Sequence, residues 1–209
     1  MLGGMPPVKS RRAEYTESTR DAVLDAAAEL FVGRGYPRTS LDEVAAAARV
    51  TKGAIYHHFA NKAALMTALI EREELDATRR TRAAFEDVAA RDGAAAGAMA
   101  AIDEFLVQCS EPVYGALVFR EAPLALGWTD WQACEEKYAV AVIEEVLGRL
   151  ADDRVIAGPV GGTLVSMVFG MLGTAGQLLA ATPDAEAPRV RDELHATFAA
   201  FLAGMRAPG

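Results

Sequence analysis

Residues Thr39–Phe59 read TSLDEVAAAARVTKGAIYHHF, and this stretch decides the fold of the first part of the chain. Ser40-Leu-Asp-Glu43 is a capping box: the serine oxygen bonds the amide three residues on, and Glu43 reaches back to the amide of Ser40. The helix it opens is short, because Arg49-Val50-Thr51 interrupts the alanine run. A second short helix follows, through Tyr56 to Phe59. Ala45, Ala46 and Ala48 are small enough for the two helices to cross closely. Two such helices, placed after a packing helix and before a long one, have helix-turn-helix dimensions, here Ser40 to Phe59.

In that motif the first residues of the second helix face base edges. Thr51 has a hydroxyl for a base or phosphate, Lys52 reaches a guanine edge or a phosphate, and Gly53 lets the backbone approach. Tyr56 and His57, one turn on, offer donors to phosphate oxygens. Arg38, Thr39 and Ser40, just before the first helix, and Lys62, just after the second, complete the candidate DNA-binding set. His57 and His58 are adjacent, so they point about 100° apart on a helix and do not chelate one metal.

Working outward, residues 1–14 hold Gly3, Gly4, Pro6 and Pro7 and then basic residues, and read as a flexible arm whose Arg11 and Arg12 add to the attraction for DNA. Val23, Leu24, Ala27, Leu30 and Phe31 share one helical face, which Gly33 and Gly35 end. Asn61 caps a long helix with Leu65, Leu69, Arg72, Leu75 and Arg79 at helical spacing. Met99, Ile102, Phe105 and Leu106 mark another, and Pro112 sits in the first turn of the next. Trp131, Cys134, Tyr138, Val142, Val146 and Leu150 form an amphipathic stripe. Val190, Leu194, Phe198, Phe201 and Met205 form the last. No run alternates with period two, so the expected fold is all-α, with about nine helices. The expected organisation is an arm over 1–14, a DNA-binding domain over 15–62 and a ligand-binding and dimerisation domain over 63–209.

The 209 residues carry 21 Lys/Arg against 29 Asp/Glu, a net charge of −8. Taken whole, that balance opposes a general polyanion binder, since nonspecific affinity for nucleic acid is mostly phosphate neutralisation. The charge is uneven, however. Residues 1–62 hold nine basic and seven acidic side chains, net +2, and the remainder holds 12 and 22, net −10. This is a reading head joined to an acidic body. The N-terminus has no apolar core of a signal peptide. Cys109 and Cys134 lack CxxC spacing and read as free thiols in a reducing cytoplasm.

The stretch 155–183 carries no charged residue and is long enough to span a bilayer. Its glycines, Thr163, Ser166, Thr174 and Gln177 argue instead for a buried or interface helix, so no membrane partner is expected. Gly162, Ser166, Gly170 and Gly173 recur on one face and permit close approach of a second helix. With Leu194, Phe198 and Phe201 they form the expected dimer interface. Phe105, Cys109, Tyr114, Phe119, Trp128, Trp131, Tyr138, Met167 and Met171 are the candidate lining of an apolar effector pocket. Asp192-x-x-His195 has ligand spacing but reads as an exposed face, and nothing orients Cys109 toward His195. With no paired carboxylates, phosphate loop or nucleophile–base pair, the chain is expected to be neither an enzyme nor a holder of metal or cofactor.

The residues F31xxxGY36, T39-S40-L41-x-E43-V44-A45, V50-T51-K52-G53-x-I55-Y56-H57-H58-F59 and N61-K62-x-x-L65 resemble the N-terminal domain of the TetR family of bacterial transcriptional regulators, over roughly residues 17–77. Glu121-Ala-Pro123-Leu-Ala-Leu-Gly127-Trp128-x-x-Trp131 resembles a segment of one branch of such regulators. The resemblance implies a cytoplasmic homodimer that binds an operator with twofold character. It also implies a divergent C-terminal domain that binds a small effector releasing the repressor from DNA. Arg49 departs from the family's usual turn glycine, and a left-handed arginine is costly.

Overall fold

The computed structural model describes residues 11–206, with side chains from residue 17 onward. Nine helices account for almost all of it: α1 Arg11–Arg34, α2 Leu41–Ala47, α3 Lys52–His58, α4 Lys62–Asp92, α5 Ala94–Cys109, α6 over 112–126, α7 Trp128–Asp152, α8 Gly162–Ala181 and α9 Ala187–Gly204. Helix α6 is continuous but changes pitch: Pro112–Tyr114 and Ala122–Leu126 are α-helical, and Gly115–Glu121 between them is π-helical. A single bridge, Ile156 to Arg206, is the sole β pairing among the described residues.

The chain starts its first helix earlier than its periodicity suggests. Residues 11–14, expected as part of the arm, are the first turn of α1, while 1–10 and the side chains of Arg11 and Arg12 lie outside the described residues. Gly33 is helical, and Gly35, at φ 87°, makes the actual break.

The head forms because every short helix is pinned at its start. Ser40 accepts from the amide of Glu43, whose carboxylate takes the amide of Ser40 at 2.8 Å. Thr51 accepts from the amide of Ala54, and Asn61 from that of Ala64. Each such cap satisfies a helix-end donor and contributes about 1 kcal/mol. Val23, Leu24, Phe31, Val44, Ile55, Phe59, Leu65 and Leu69 then close a core across α1–α4. The same core continues through Leu106, Leu117 and Trp131 into the body. A second cluster joins α5, α7, α8 and α9 through Ala98, Ile143, Leu147, Val165 and Leu202.

Helix α4 connects the two parts. Its 31 residues reach about 46 Å at 1.5 Å per residue, from the head core to the far end of the body. Gly93, at φ 88°, turns the chain back into α5. There the helices cross so closely that a methyl at Gly97 would lie 2.8 Å from the carbonyl oxygen of Phe85.

The turn between α2 and α3 is a Schellman motif. The amide of Val50 donates to Ala45 O at 3.0 Å and that of Arg49 to Ala46 O at 3.2 Å. The motif places Arg49 at φ 56°, the left-handed position that glycine normally fills. The turn keeps its geometry and the arginine carries the strain. Arg49→Gly should therefore raise the unfolding free energy by about 1 kcal/mol. Urea denaturation of the two proteins measures that difference.

Candidate functional site

Two regions gather functional side chains. The first is the exposed face of α3 and its flanks. Thr51, Lys52, Gly53, Tyr56 and His57 all lie open to solvent, Tyr56 at 51 % exposure, with Arg38 and Ser40 beside them. The cap occupies the oxygen of Thr51 as acceptor, which leaves its O–H to donate. Lys52 Nζ rests on Asp42 at 2.8 Å, in a pair exposed on both sides. Such a pair is weak in water and is readily exchanged for a phosphate.

Two members of the predicted DNA-binding set have other work. Thr39 is buried, and its hydroxyl donates to Gly35 O at 3.0 Å, so it closes the turn after α1. Lys62 is turned inward. Its ammonium donates to Tyr36 O and Thr39 O, both at 2.8 Å, and sits 4.0 Å from the centre of the Tyr36 ring. Partial burial pulls its pKa down. Thr39 and Lys62 are therefore positioning residues of the loop that leads into α2.

That loop is also held from the body. Glu121, buried at the end of the π-helical turn, accepts the backbone N–H of Tyr36 at 2.7 Å and the guanidinium of Arg120 at 3.0 Å. Arg72 of α4 pairs with Asp25 of α1 at 2.6 Å and adds an exposed link. The sequence reading quoted Glu121 within a family-like segment and gave it no role.

The second region is a cavity of about 700 Å³ bordered by α4–α9 and partly open to solvent. Of the predicted lining, Phe105, Tyr114, Phe119, Trp128, Trp131 and Met171 border it. Cys109, Tyr138 and Met167 do not. Cys109 is buried in packing below the cavity, Tyr138 lies beside Lys137, and Met167 is 57 % exposed on the outer face of α8. Phe119 stacks edge-on with Phe105, Tyr114 and Trp131. It is pressed from behind by Gly176, where a methyl would meet its ring at 2.5 Å.

The polar wall of this cavity was not anticipated. Glu74 and Glu135 are buried in it, and Tyr114 donates to Glu74 at 2.7 Å. Burial pushes both carboxyls up, Glu74 to about 7 with the charge of Glu73 adding to it, and the charge of Glu74 raises Glu135 further. Burial likewise raises the thiol of Cys109, and that of Cys134 to about 11.

The expected interface residues divide. Gly162, Ser166 and Gly170 are exposed on α8 and Gly173 half so, and a methyl at any of the three glycines would meet nothing within 4 Å. Leu194 and Phe201 are half-buried, whereas Phe198 is buried within the chain's own core. Several of these small residues also border the cavity, on the side where α8 covers it. His195 pairs with Asp103 of α5, not with Asp192. Among the described residues no group of three or more His, Cys, Asp or Glu has metal-holding geometry.

Comparison with known proteins agrees with both regions. The family model "bacterial regulatory proteins, tetR family" matches residues 23–69, and "tetracyclin repressor-like, C-terminal domain" matches 95–205. The transposon Tn10 TetC protein of Escherichia coli is 42% identical over 65 residues, 31% of this chain and 33% of that protein. The regulator TtgR of Pseudomonas putida is 46% identical over 61 residues, 29% of each chain. The chain thus spans about a third of the length of the curated relatives it matches. The crystal structure of a TetR-family transcriptional regulator from Pectobacterium atrosepticum superposes with a TM-score of 0.78 at 27% identity, over 96% of this chain and 99% of that one.

The buried carboxyls make stability depend on pH in a definite direction. The folded chain holds their protons above the ordinary value of 4.5, so the unfolded chain releases protons first as pH rises. Their cost is absent below about pH 4.5 and grows through the interval up to about 7 where Glu74 titrates. Glu135→Gln removes one of these charges. It should melt higher than the parent at pH 8, by roughly 2–6 °C, the ordinary reach of about 1–2 kcal/mol. The gap should close toward pH 4.5, as paired thermal melts will read.

Proposed function

Because the chain belongs to the TetR family of bacterial regulatory proteins, we propose that it is a ligand-responsive transcriptional repressor that binds a twofold operator as a homodimer. The observation that carries the DNA-binding part is the exposed set Thr51, Lys52, Gly53, Tyr56 and His57 on a helix whose opposite face is locked by Ile55 into the head core. Lys52 and the first turn of α3 enter the major groove, and Arg38, Ser40, Tyr56 and His57 hold phosphates around it. Two heads in a dimer meet successive grooves about 34 Å apart. The rest of the chain, with its net negative charge, repels DNA, so affinity depends on correct seating and not on bulk attraction.

The dimer forms through α8, with α9 at its flank. Helix α8 has a mean hydropathy of 1.6, yet only 22% of its apolar window is buried inside the chain. It is long and apolar enough to cross a membrane. Its open row of Gly162, Ser166 and Gly170 fits a second copy of the same helix better than lipid, because small residues bring two backbones together while offering lipid little apolar area. The effector enters the cavity and acts on α6. Phe119 borders the cavity, and Glu121, two residues on, holds Tyr36 at the entrance to α2. A ligand that shifts the π-helical turn moves the head. It releases DNA only by the difference in its affinity for the two states, about 1.4 kcal/mol for tenfold weakening.

Selection of bound duplexes from a random pool should return a twofold-symmetric consensus, and an asymmetric one would reject the dimeric reading. On the selected site, Lys52→Ala should weaken binding and reduce the salt slope by about one per subunit. Lys62→Met should weaken binding with the slope unchanged, because it loosens the α1–α2 loop and removes no phosphate contact.

Ser166→Arg tests the interface. A charge in the middle of the open face of α8 should give a folded monomer by sedimentation, with operator affinity lowered by about a hundredfold or more through loss of the second head.

A further inference from the structure

The cavity wall has a one-sided chemistry. Glu74, Glu135, Glu136 and Glu144 border it, the last two exposed where it meets solvent, and no Lys, Arg or His lines it among the described residues. Carboxylates buried in a protein ordinarily have a cationic partner, since an unpaired buried charge is costly. Here Glu74 has only the hydroxyl of Tyr114, and Glu135 Oε1 has no hydrogen-bond partner among the described residues.

Two further buried polar atoms of the same wall lack partners: Gln108 Oε1 and Trp131 Nε1. The orientation of Gln108 is fixed. Its nitrogen donates to Glu104 at 2.9 Å and to Ala77 O at 3.3 Å, both pure acceptors, so the oxygen must be the end left over. Glu104 is itself held by Arg80 at 2.8 Å. The wall therefore presents two buried acceptors, one donor and an aromatic lining of Phe105, Phe119 and Trp131.

Ligand classes meet this wall differently. An anion would face buried carboxyls with no countercharge. A neutral hydrocarbon would fill the space and leave three polar atoms unpaired, each at a desolvation cost. A cation with N–H donors satisfies Glu135 and Gln108, and its charge lies against aromatic faces.

From this we infer that the cavity binds a flat aromatic cation bearing N–H groups, with Glu135 and Gln108 as its acceptors and Glu74 as the second countercharge. The inference rests on the effector reading of the cavity and names its ligand class.

Three tricyclic fluorophores of similar shape test it on the full chain: 9-aminoacridinium, neutral 9-hydroxymethylanthracene and 9-anthracenecarboxylate. Fluorescence titration should rank the cation first, with the carboxylate weaker by about tenfold or more. Glu135→Gln and Glu74→Gln should each weaken the cation by about tenfold and leave the neutral probe unchanged, which also reports that the cavity is intact. Equal binding of the three probes, a preference for the carboxylate, no binding of the cation, or a cation affinity untouched by both variants overturns the inference. A gel shift with the selected operator separates the two readings. Cation binding without DNA release leaves the ligand class standing and removes its effector role. DNA release by neutral or anionic compounds, with the cation unbound, does the reverse.

Discussion

Tyr36 is the point on which the rest of this structure turns. Its N–H is held by Glu121 from the body, its C=O by Lys62 from the start of α4, and its ring lies beneath the Lys62 ammonium. Three elements far apart in sequence converge on one loop residue. The loop carries no helix of its own to stiffen it between Gly35 and Leu41, so these bonds set the entry angle of α2 and through it the seating of α3. Glu121 is nearly enclosed and Lys62 half-buried, which makes each bond worth more than its surface counterpart and its loss correspondingly costly.

This junction explains why the π-helical turn matters. A π turn adds a residue to the helical path and leaves the backbone ladder locally less well bonded, and such turns concentrate at functional sites. In α6 the turn contains both Phe119, which faces the cavity, and Glu121, which faces the head. Gly115 at its start lies so close to Cys109 that a methyl there would be 2.2 Å from the Cys109 carbonyl oxygen, so the turn is fixed at its near end. In the proposed effector response, displacement of Phe119 would therefore run toward Glu121 and away from the α5–α6 junction. A ligand pushing on the ring, as proposed, would act on Tyr36 through two residues of helix.

The head was legible because its signals are local. The capping box, the cap at Asn61 and the alanine crossing each involve residues within a few positions, and the left-handed Arg49 follows from the turn itself, whereas the cap by Thr51 was passed over for a DNA contact. Thr39 and Lys62 were assigned to DNA because their chemistry suits phosphate; their actual partners are backbone carbonyls, which leave no trace in side-chain spelling. In the body, helices and stripes were visible, but the polar wall was passed over in favour of aromatics. The signal existed: Glu135 lies four residues after Trp131 and Glu74 four after Ile70, each an acid on the buried face of its helix. What could not be read was their convergence, since α4 and α7 are separated by two intervening helices. Phe198 was misplaced for a related reason, because a stripe marks a buried face without saying whether its own chain or a partner buries it.

In the proposed dimer, helix α8 resolves that last ambiguity by serving both surfaces. Its buried part presses Gly176 against Phe119, while Gly162, Ser166 and Gly170 stay open to solvent at the edge of the cavity. Small residues serve different neighbours in the two places: an aromatic ring within the chain, and, in the proposed dimer, a second backbone outside it. A helix seated against a partner is less free to yield than one facing water. In a dimer built on α8, a ligand in the cavity finds its outer wall braced by the second subunit. The strain of its entry is then relieved inward, through α6, where the next bond along is the one to Tyr36. The proposed dimerisation on this face would therefore do more than set the spacing of two heads; it would make the compliant wall of the cavity the one that leads to DNA.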